Sequence, residues 1–263
     1  MMKSRQVGFE MSYLVVNKVK NRTLACLVLV GIALSACTPA PTTVGFADPY
    51  EATNRKTHNF NRALDRNLVR PVANAYGKTT PNPVRRGVSN FTSNLSLPGT
   101  VLNDLLQFQI EDAGANTFRF LINSTFGFAG LLDVATDAGI AHDPSDFGET
   151  LHVWGIREGT YIELPFLGPS TTRETVGRVV DLLANPLNFV VDGQDRVGVA
   201  GATVLSRLGD RYQHRDLIDS VLYESVDSYS QARLLYLQNR RFRLGGAEQP
   251  NYSDPYEDVY GTE

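Results

Sequence analysis

The clearest chemistry in the sequence belongs to the tetrapeptide from Leu34 to Cys37, which closes an apolar run of 14 residues, 23–36. Basic residues precede the run and small residues occupy the two positions before Cys37, which is the order of a bacterial export signal ending in a lipobox. The run is shorter than the roughly 20 residues that a membrane-crossing helix needs. We therefore expect residues 1–36 to be removed as a signal peptide and the Cys37 sulfur to carry a thioether-linked lipid.

The residue after the cysteine bears on where the lipid is delivered. Thr38 stands where lipoproteins kept in the inner membrane usually carry Asp, so resemblance to that sorting rule predicts the outer membrane, facing the periplasm. The signal is complete without the first ten residues, so both Met1 and Met11 fit as the start. The alternative, in which Cys37 is an ordinary small apolar residue, is disfavoured by the small residues before it.

Enzymatic constellations are not found in the sequence. The stretch from Gly168 to Thr172 lacks the second glycine of a hydrolase elbow, and neither a phosphate-binding loop nor a His-Glu-x-x-His pattern occurs. His142, Asp143, Asp146 and His152 could be drawn as a metal cluster, but nothing in their spacing fixes a geometry, so they are interpreted as solvated polar groups of a loop. We expect no catalytic activity, metal or cofactor.

Composition narrows the class of partner. Residues 1–37 hold five of the 25 basic and one of the 28 acidic residues, which leaves 20 basic against 27 acidic residues and a net charge of −7 after processing. This charge argues against nucleic acid as a partner. The two cysteines are Cys26 in the signal and Cys37, so we expect no disulfide in the mature fold.

The elements of the first half are predicted from periodicity. Residues 38–47 are interpreted as a short tether because prolines and small polar residues have little to bury. A helix is predicted over 48–72, with Phe60 and leucines four residues apart on one face and Pro71 at its end. Residues 77–87 are predicted to form a loop, and a second helical region is predicted after Pro98.

The second half contains further helices and one hairpin. Residues 115–135 have helical spacing until glycines 127 and 130, which predict a break or a close approach of backbone. A hairpin is predicted around 153–164, and a helix capped by Thr171 and Glu174 is predicted to stop at Asn185. A shorter helix is predicted over 197–208 and the longest over 216–241. The acidic tail 247–263 is predicted to be disordered.

Several separated blocks of the chain resemble the MlaA/VacJ family of outer-membrane lipoproteins. In chain order they span about 190 residues, so a chance match is not credible. The blocks are Asp48 to Glu51 with Asn54-Arg55 and His58 to Asn61, Val69 to Val72, Ser89 to Phe91 with Asn94-Leu95, Phe118 to Phe120 with Asn123-Ser124, Gly127 to Asp133, Asp146 to Leu151, Tyr161 to Gly168, and Asp227 to Arg240.

The resemblance implies a mainly α fold, a ring-shaped bundle of amphipathic helices seated in one leaflet of the outer membrane, here formed by residues 48–246. It implies that phospholipids misplaced in the outer leaflet pass through a polar-lined opening to a soluble periplasmic lipid carrier, often with the ring docked on a trimeric outer-membrane porin. Amphipathic helices interrupted by glycine and proline are compatible with such a position and would supply the second anchor that one lipidated residue needs.

The passage or gate that the resemblance implies is assigned to two segments. Asn59 and Phe60 on the first helix match the family's gating position; the plain alternative is an amphipathic helix with Phe60 in the core. The second segment is expected beside the passage because its glycines allow close approach and its phenylalanines offer apolar surface. Its candidate residues are Phe126, Gly127, Phe128, Gly130 and Leu131.

The sequence departs from the family pattern at two places, and two other functions are considered beside the lipid conduit. Thr57 and His58 stand where related chains often carry an apolar and an aromatic residue, and Ser228 replaces a frequent proline before Tyr229. The alternative to a lipid conduit is a structural lipoprotein that docks porins or envelope proteins without conducting lipid. A lipid hydrolase is a third possibility, disfavoured by the missing nucleophile motif.

Overall fold

The computed structural model describes residues 48–186 and 193–245, and these are mainly helical. The expected mainly α fold is thereby confirmed. The predicted signal peptide, Cys37 with its tether, and the tail 247–263 lie outside the described residues. None of the described helices combines the length and the apolar character that crossing a membrane requires.

The first helical stretch is longer than predicted. Helix α1 (Glu51–Leu64) passes into a π-helical segment (Asp65–Val69) and then into α2 (Arg70–Thr79). The predicted end at Pro71 is wrong, because this proline lies in the first turn of α2. There its missing N–H costs no intrahelical hydrogen bond.

Helix α3 (Asn82–Leu106) is the longest described helix, with 25 residues. It begins directly after Pro81, so the predicted loop over residues 77–87 is wrong except at positions 80 and 81. Pro98 lies inside α3 and does not start a new helix. Helix α4 (Ile110–Thr125) follows after a short turn and packs along α3.

Two short helices lead to the hairpin. Two aspartates cap helix α5 (Val134–Asp137) and helix α6 (Phe147–Val153). Each aspartate precedes its helix, and its side chain accepts a hydrogen bond from the backbone N–H three residues later. Strand β1 (Tyr161–Leu164) pairs antiparallel with β2 (Gly168–Thr171). The hairpin therefore exists, but the predicted span of 153–164 covers only its first strand.

The helix after the hairpin has the bounds that the sequence predicts. Helix α7 (Thr172–Ala184) starts where the Thr171 side chain accepts a hydrogen bond from the Glu174 N–H at 3.3 Å, and it ends at Asn185. Both the predicted cap and the predicted stop are confirmed.

The C-terminal helices differ from their predicted lengths. Helix α8 (Gly193–Gln213) is longer than the predicted 197–208. The predicted continuous helix over 216–241 is wrong, because α9 (Arg215–Asp219) and a second π-helical segment (Ser220–Glu224) end before α10 (Ser228–Arg243) begins. The Asp227 side chain caps α10 by accepting from the Ser230 N–H at 3.2 Å, which restarts the helix there.

The interior has two kinds of core. Under the hairpin, Tyr161, Tyr229 and Leu237 form a small apolar cluster, and their side chains are at most 3% exposed. Between α3 and α4, by contrast, the buried side chains are mostly polar. The alternative that placed Phe60 in the core is not what the structure shows, since Phe60 is 47% exposed.

Candidate functional site

Helices α3 and α4 bury polar residues and expose apolar ones. Side chains three or four residues apart face inward, and their relative exposure does not exceed 4%. The outward faces and the turn that joins the two helices carry large apolar side chains that are between 48% and 85% exposed. The inward polar residues are Asn94, Thr100, Asn103 and Asp104 on α3 with Asn116, Arg119 and Asn123 on α4, and the outward apolar residues are Leu105, Phe108, Ile110, Phe118 and Leu121.

One hydrogen bond joins two inward residues across α3 and α4, and most of the others go to the turns and helices that cover them. Asn116 donates to a carboxylate oxygen of Asp104 at 2.8 Å, and Asn103 donates to Asp181 on α7 at 3.0 Å. Burial raises the pKa of Asp104 despite the Asn116 hydrogen bond. A buried polar network of this kind stabilises one arrangement of side chains, because any member left without a partner costs free energy.

The centre of this network is the ion pair between Arg119 and Asp133. The guanidinium, which is 3% exposed, donates to both carboxylate oxygens at 2.9 and 3.0 Å. Burial acts to raise the pKa of Asp133, but hydrogen bonds from Thr136 and Asn123 and the charge of Arg119 outweigh it, so the pKa is lowered. Asp133 therefore stays ionised and holds the turn after α4 against that helix.

Two cavities lie along α3. A small one of about 60 Å³ is lined by residues that include Asn94, Arg119 and His142, and a larger cleft of about 510 Å³ lies between the start of α3 and the end of α8. Asn90 lines both, so they adjoin. We call the α3 side chains that line the cleft or the small cavity the polar track: Asn82, Arg85, Arg86, Ser89, Asn90, Ser93 and Asn94.

The glycine-rich turn after α4 packs against this track. A Cβ on Gly130 would lie 2.4 Å from the Cβ of Asn94, and Gly130 has a φ of +92°, so only glycine fits there. Asn90 donates to the Leu131 carbonyl at 3.3 Å. Gly127 is equally tight, since its Cβ would lie 2.2 Å from the Leu132 carbonyl oxygen. The predicted close approach of backbone is confirmed.

The phenylalanines of the same turn point away from the protein. Phe126 and Phe128 are each 73% exposed, and Phe128 adopts a φ of +52°. Two other phenylalanines, Phe108 after α3 and Phe166 at the hairpin tip, share this left-handed conformation and high exposure. Bulky residues rarely adopt it, and such strain is concentrated at functional positions.

The other two predicted gate residues lie beside the hairpin, and no predicted gate residue of either segment lines the cleft or the small cavity. Asn59 is exposed, and the Phe60 ring meets the Phe166 ring edge-on with 5.3 Å between centroids. The neighbouring Asn61 donates to the Leu164 carbonyl at 2.9 Å and accepts from the Phe166 N–H at 2.8 Å. Helix α1 and the hairpin tip are thus fixed to each other.

The two departures from the family pattern contact each other. His58 is 3% exposed, and its Nε2 lies 3.0 Å from the Ser228 hydroxyl, while its Nδ1 lies 3.5 Å from the Glu163 carboxylate. The imidazole therefore joins α1, the hairpin and α10 in one buried polar cluster.

The residues once drawn as a metal cluster have other roles. Among the residues of 48–186 and 193–245, no three His, Cys, Asp or Glu side chains converge as metal ligands. Asp146 caps α6 and accepts two hydrogen bonds from Arg240, at 2.6 and 2.8 Å. His142 lines the small cavity, where burial lowers its pKa.

Sequence reasoning did not identify the polar track, although a signal was present. Positions 82, 85, 86, 89, 90, 93 and 94 repeat at helical spacing and are all polar, while apolar residues occupy other faces. The prolines at 81 and 83 predict a loop and the proline at 98 predicts the start of a new helix, and together they conceal this helical pattern.

Comparison with known proteins gives a consistent result. The MlaA lipoprotein family matches the chain over residues 46–243. Proteins of Escherichia coli (strain K12) and Shigella flexneri, each named intermembrane phospholipid transport system lipoprotein MlaA, are 34% identical over 239 residues, which is 88% of this chain and 90% of each relative. An uncharacterised Rickettsia conorii protein is 37% identical over 69% of this chain and 72% of its own length.

The similarity extends to three dimensions. A solved structure described as the structural basis for maintenance of bacterial outer membrane lipid asymmetry superimposes with a TM-score of 0.64 at 32% identity, covering 75% of this chain and 99% of its own. Since the family match covers far more than half of the sequence and the helical fold agrees, this chain belongs to the MlaA lipoprotein family.

Proposed function

We propose that this protein removes phospholipids that have strayed into the outer leaflet of the outer membrane and passes them to a periplasmic carrier. The observation that carries the proposal is the inverted burial of α3 and α4, with polar residues inside and apolar residues outside. It supports the role named for the E. coli and Shigella relatives.

The physical argument follows the two parts of a phospholipid. A headgroup needs hydrogen-bond partners wherever it leaves water, and the polar track offers amide, hydroxyl and guanidinium groups along one helix face. Acyl chains favour apolar surface, which the outward faces and the exposed phenylalanines supply. Apolar surface on this scale is costly in water, at about 25 cal/mol per Å², and therefore favours a position in lipid, such as one leaflet of the outer membrane.

Attachment to the membrane would use two signals. A lipidated Cys37 supplies one, and the exposed apolar faces of the helical domain supply the other. Cys37→Ala should leave an unprocessed or released protein, which mass spectrometry of the mature N-terminus and membrane fractionation would show. An unlipidated chain that stays firmly in the outer membrane would contradict the anchor.

The turn from Phe126 to Leu131 is proposed to form one wall of the passage. Its support is the contact of Gly130 with Asn94 and of Leu131 with Asn90, both on the polar track. Asn59 and Phe60 are proposed to act on the opening indirectly, through the contact between Phe60 and Phe166 at the hairpin tip.

The proposed partners of the protein are a periplasmic lipid carrier and a trimeric porin.

The second candidate function is a structural lipoprotein that docks porins or envelope proteins without moving lipid. The exposed apolar surface suits either role. Buried polar side chains beside a cleft favour conduction, because docking alone does not require polar groups in the interior.

The decisive experiment compares two serines of α3. Ser93 lines the small cavity and Ser96 does not, although both are exposed and lie on the same helix. In E. coli lacking its MlaA relative, wild type and Ser96→Trp should restore outer-leaflet lipid asymmetry. Ser93→Trp should leave phospholipid in the outer leaflet at equal protein level.

Two outcomes would contradict conduction through the track. Normal asymmetry with Ser93→Trp at normal membrane level would remove the track from the lipid path. Failure of wild type to change the lipid distribution, together with co-purification of a porin, would favour the structural alternative.

A further inference from the structure

The cleft at the start of α3 has an unusual set of charges. Three arginines line it, Arg85, Arg86 and Arg215, together with one carboxylate, that of Asp210. Arg86 is exposed, and within residues 48–186 and 193–245 neither Arg86 nor Asp210 takes part in an ion pair. Its volume of about 510 Å³ lies within the range of small-molecule sites, about 300–1,000 Å³.

The arginines are held in place by an aromatic ring. Tyr212 contacts two guanidinium groups, with Arg85 4.8 Å and Arg215 4.9 Å from its ring centroid. Arg85 also donates to the Gly77 carbonyl at 2.6 Å, and Arg215 lies 3.4 Å from the exposed Asp216 carboxylate. Cation–π contacts orient a guanidinium without neutralising it, so the remaining N–H donors of Arg85 and those of Arg86 stay available to an anion.

The ring itself depends on a glycine. A Cβ on Gly77 would lie 2.1 Å from the Tyr212 ring, so this ring can lie against α2 only because position 77 has no side chain. The positively charged side of the cleft is therefore preorganised by packing between α2 and α8, which raises the affinity for a ligand of matching shape.

From this arrangement we infer that the cleft binds the headgroup of a zwitterionic phospholipid, with the arginines contacting the phosphodiester and Asp210 the ammonium group. Guanidinium groups match phosphate oxygens in charge and geometry, and a carboxylate pairs with a primary ammonium. The inference rests on the proposed function and adds a headgroup preference to it: an ethanolamine headgroup satisfies both charges, whereas a glycerol headgroup leaves Asp210 unpaired.

The test uses the full-length lipoprotein purified in detergent and incubated with equal amounts of phosphatidylethanolamine and phosphatidylglycerol. Native mass spectrometry then counts the lipid retained. Wild type should retain phosphatidylethanolamine about two- to fivefold more than phosphatidylglycerol, the range expected for one exposed charge pair. Asp210→Asn should bring the ratio to about one, and Arg86→Gln should lower retention of both lipids.

Matched control variants remove charges that do not line the cleft. Asp195→Asn neutralises another carboxylate on the helix that carries Asp210, and Arg157→Gln removes an exposed arginine far along the chain from the cleft. Both should behave as wild type. An excess of inorganic phosphate should not displace the lipid, because it lacks the ammonium group.

The possible failures are distinguishable. If wild type retains no phospholipid, the proposed function fails. If it retains phospholipid but neither Asp210→Asn nor Arg86→Gln changes the amount or ratio, only the headgroup inference is overturned. A response to Arg86→Gln alone, or full displacement by inorganic phosphate, would show a general phosphate site and would also overturn the inference.

Discussion

The α3–α4 region and the region under the hairpin differ in how much apolar surface they bury. Between α3 and α4 the buried side chains are mostly polar, while phenylalanine and leucine face outward. The hairpin region also buries polar side chains, among them His58 and Glu163. Beside them, Tyr161 and Tyr229 pack edge-on, with 5.9 Å between ring centroids, and Leu237 completes an apolar cluster.

The difference is the one that the proposed position of the α3–α4 region in lipid would favour. An apolar core is stable because burial removes hydrocarbon from water. A polar core with an apolar exterior gains nothing from that effect in water, but in lipid its hydrogen bonds and ion pairs replace the water that is missing. We therefore expect substitutions to have opposite consequences in the two regions.

The largest effect is expected from breaking the ion pair in the α3–α4 region. Arg119→Met leaves the Asp133 carboxylate without its cation and should lower the free energy of unfolding by about 3–5 kcal/mol. Thermal unfolding in detergent measures the loss, with Arg157→Met, at an exposed position, as the control. A melting temperature equal to that of wild type would mean that the polar interior is not what stabilises this region.

Truncating a leucine should lower stability more in the region under the hairpin than on the outward face of α4. Leu237→Ala opens a cavity beside the two tyrosines and should cost about 2–4 kcal/mol, because the side chain is 3% exposed. Leu121→Ala truncates the same side chain on the outward face of α4, where it is 52% exposed, and should cost well under 1 kcal/mol. Equal losses, measured by thermal unfolding, would remove the contrast between the regions.

Glycine substitutions should sharpen the contrast within the α3–α4 region. Gly130→Ala places a methyl group against Asn94 at a positive φ, and should destabilise by about 1–3 kcal/mol. Gly99→Ala, on α3 with no atom within 4 Å of the new Cβ, should stabilise by about 0.5–1 kcal/mol. Chemical unfolding would reveal the opposite signs. A harmless Gly130→Ala would show that the turn moves away from the track.

The last effect depends on pH and concerns a carboxyl group on α6, a helix that lies against both α3 and α7. Burial, followed by the nearby Asp146 charge, raises the pKa of Glu149 to about 7, although Arg240 and Arg243 oppose the shift. Because the folded state favours the protonated form, stability is greatest below the ordinary pKa of 4.5 and falls as pH rises through 7.

Glu149→Gln should therefore stabilise the protein by about 1–2 kcal/mol at pH 8, a value reduced for partial exposure, and should have no effect below about pH 4.5. Melting temperatures of wild type and variant across this range give the test. A difference that is independent of pH would contradict the raised pKa.

The sequence predicted best those features that depend on neighbours along the chain. The Thr171 cap and the break at Gly127 and Gly130 follow from local backbone chemistry, and both were confirmed. The family resemblance likewise depended on local blocks and held across most of the chain.

The sequence predicted least well what depends on surroundings. Helical periodicity shows which residues share a face, but it does not say which face is buried. Phe60 and Leu105 fall on predicted apolar stripes and are about half exposed, while Asn94 and Asp104 are buried. Proline predicts a helix boundary, yet Pro71 lies in the first turn of a helix and Pro98 inside one.

The small cavity beside Asn94 has room for about two water molecules. The Asn94 Oδ1 has no hydrogen-bond partner among the described residues, so hydration of this 60 Å³ cavity would satisfy it. Under the proposed function, a lipid headgroup would reach Asn94 only by displacing this water and widening the cavity.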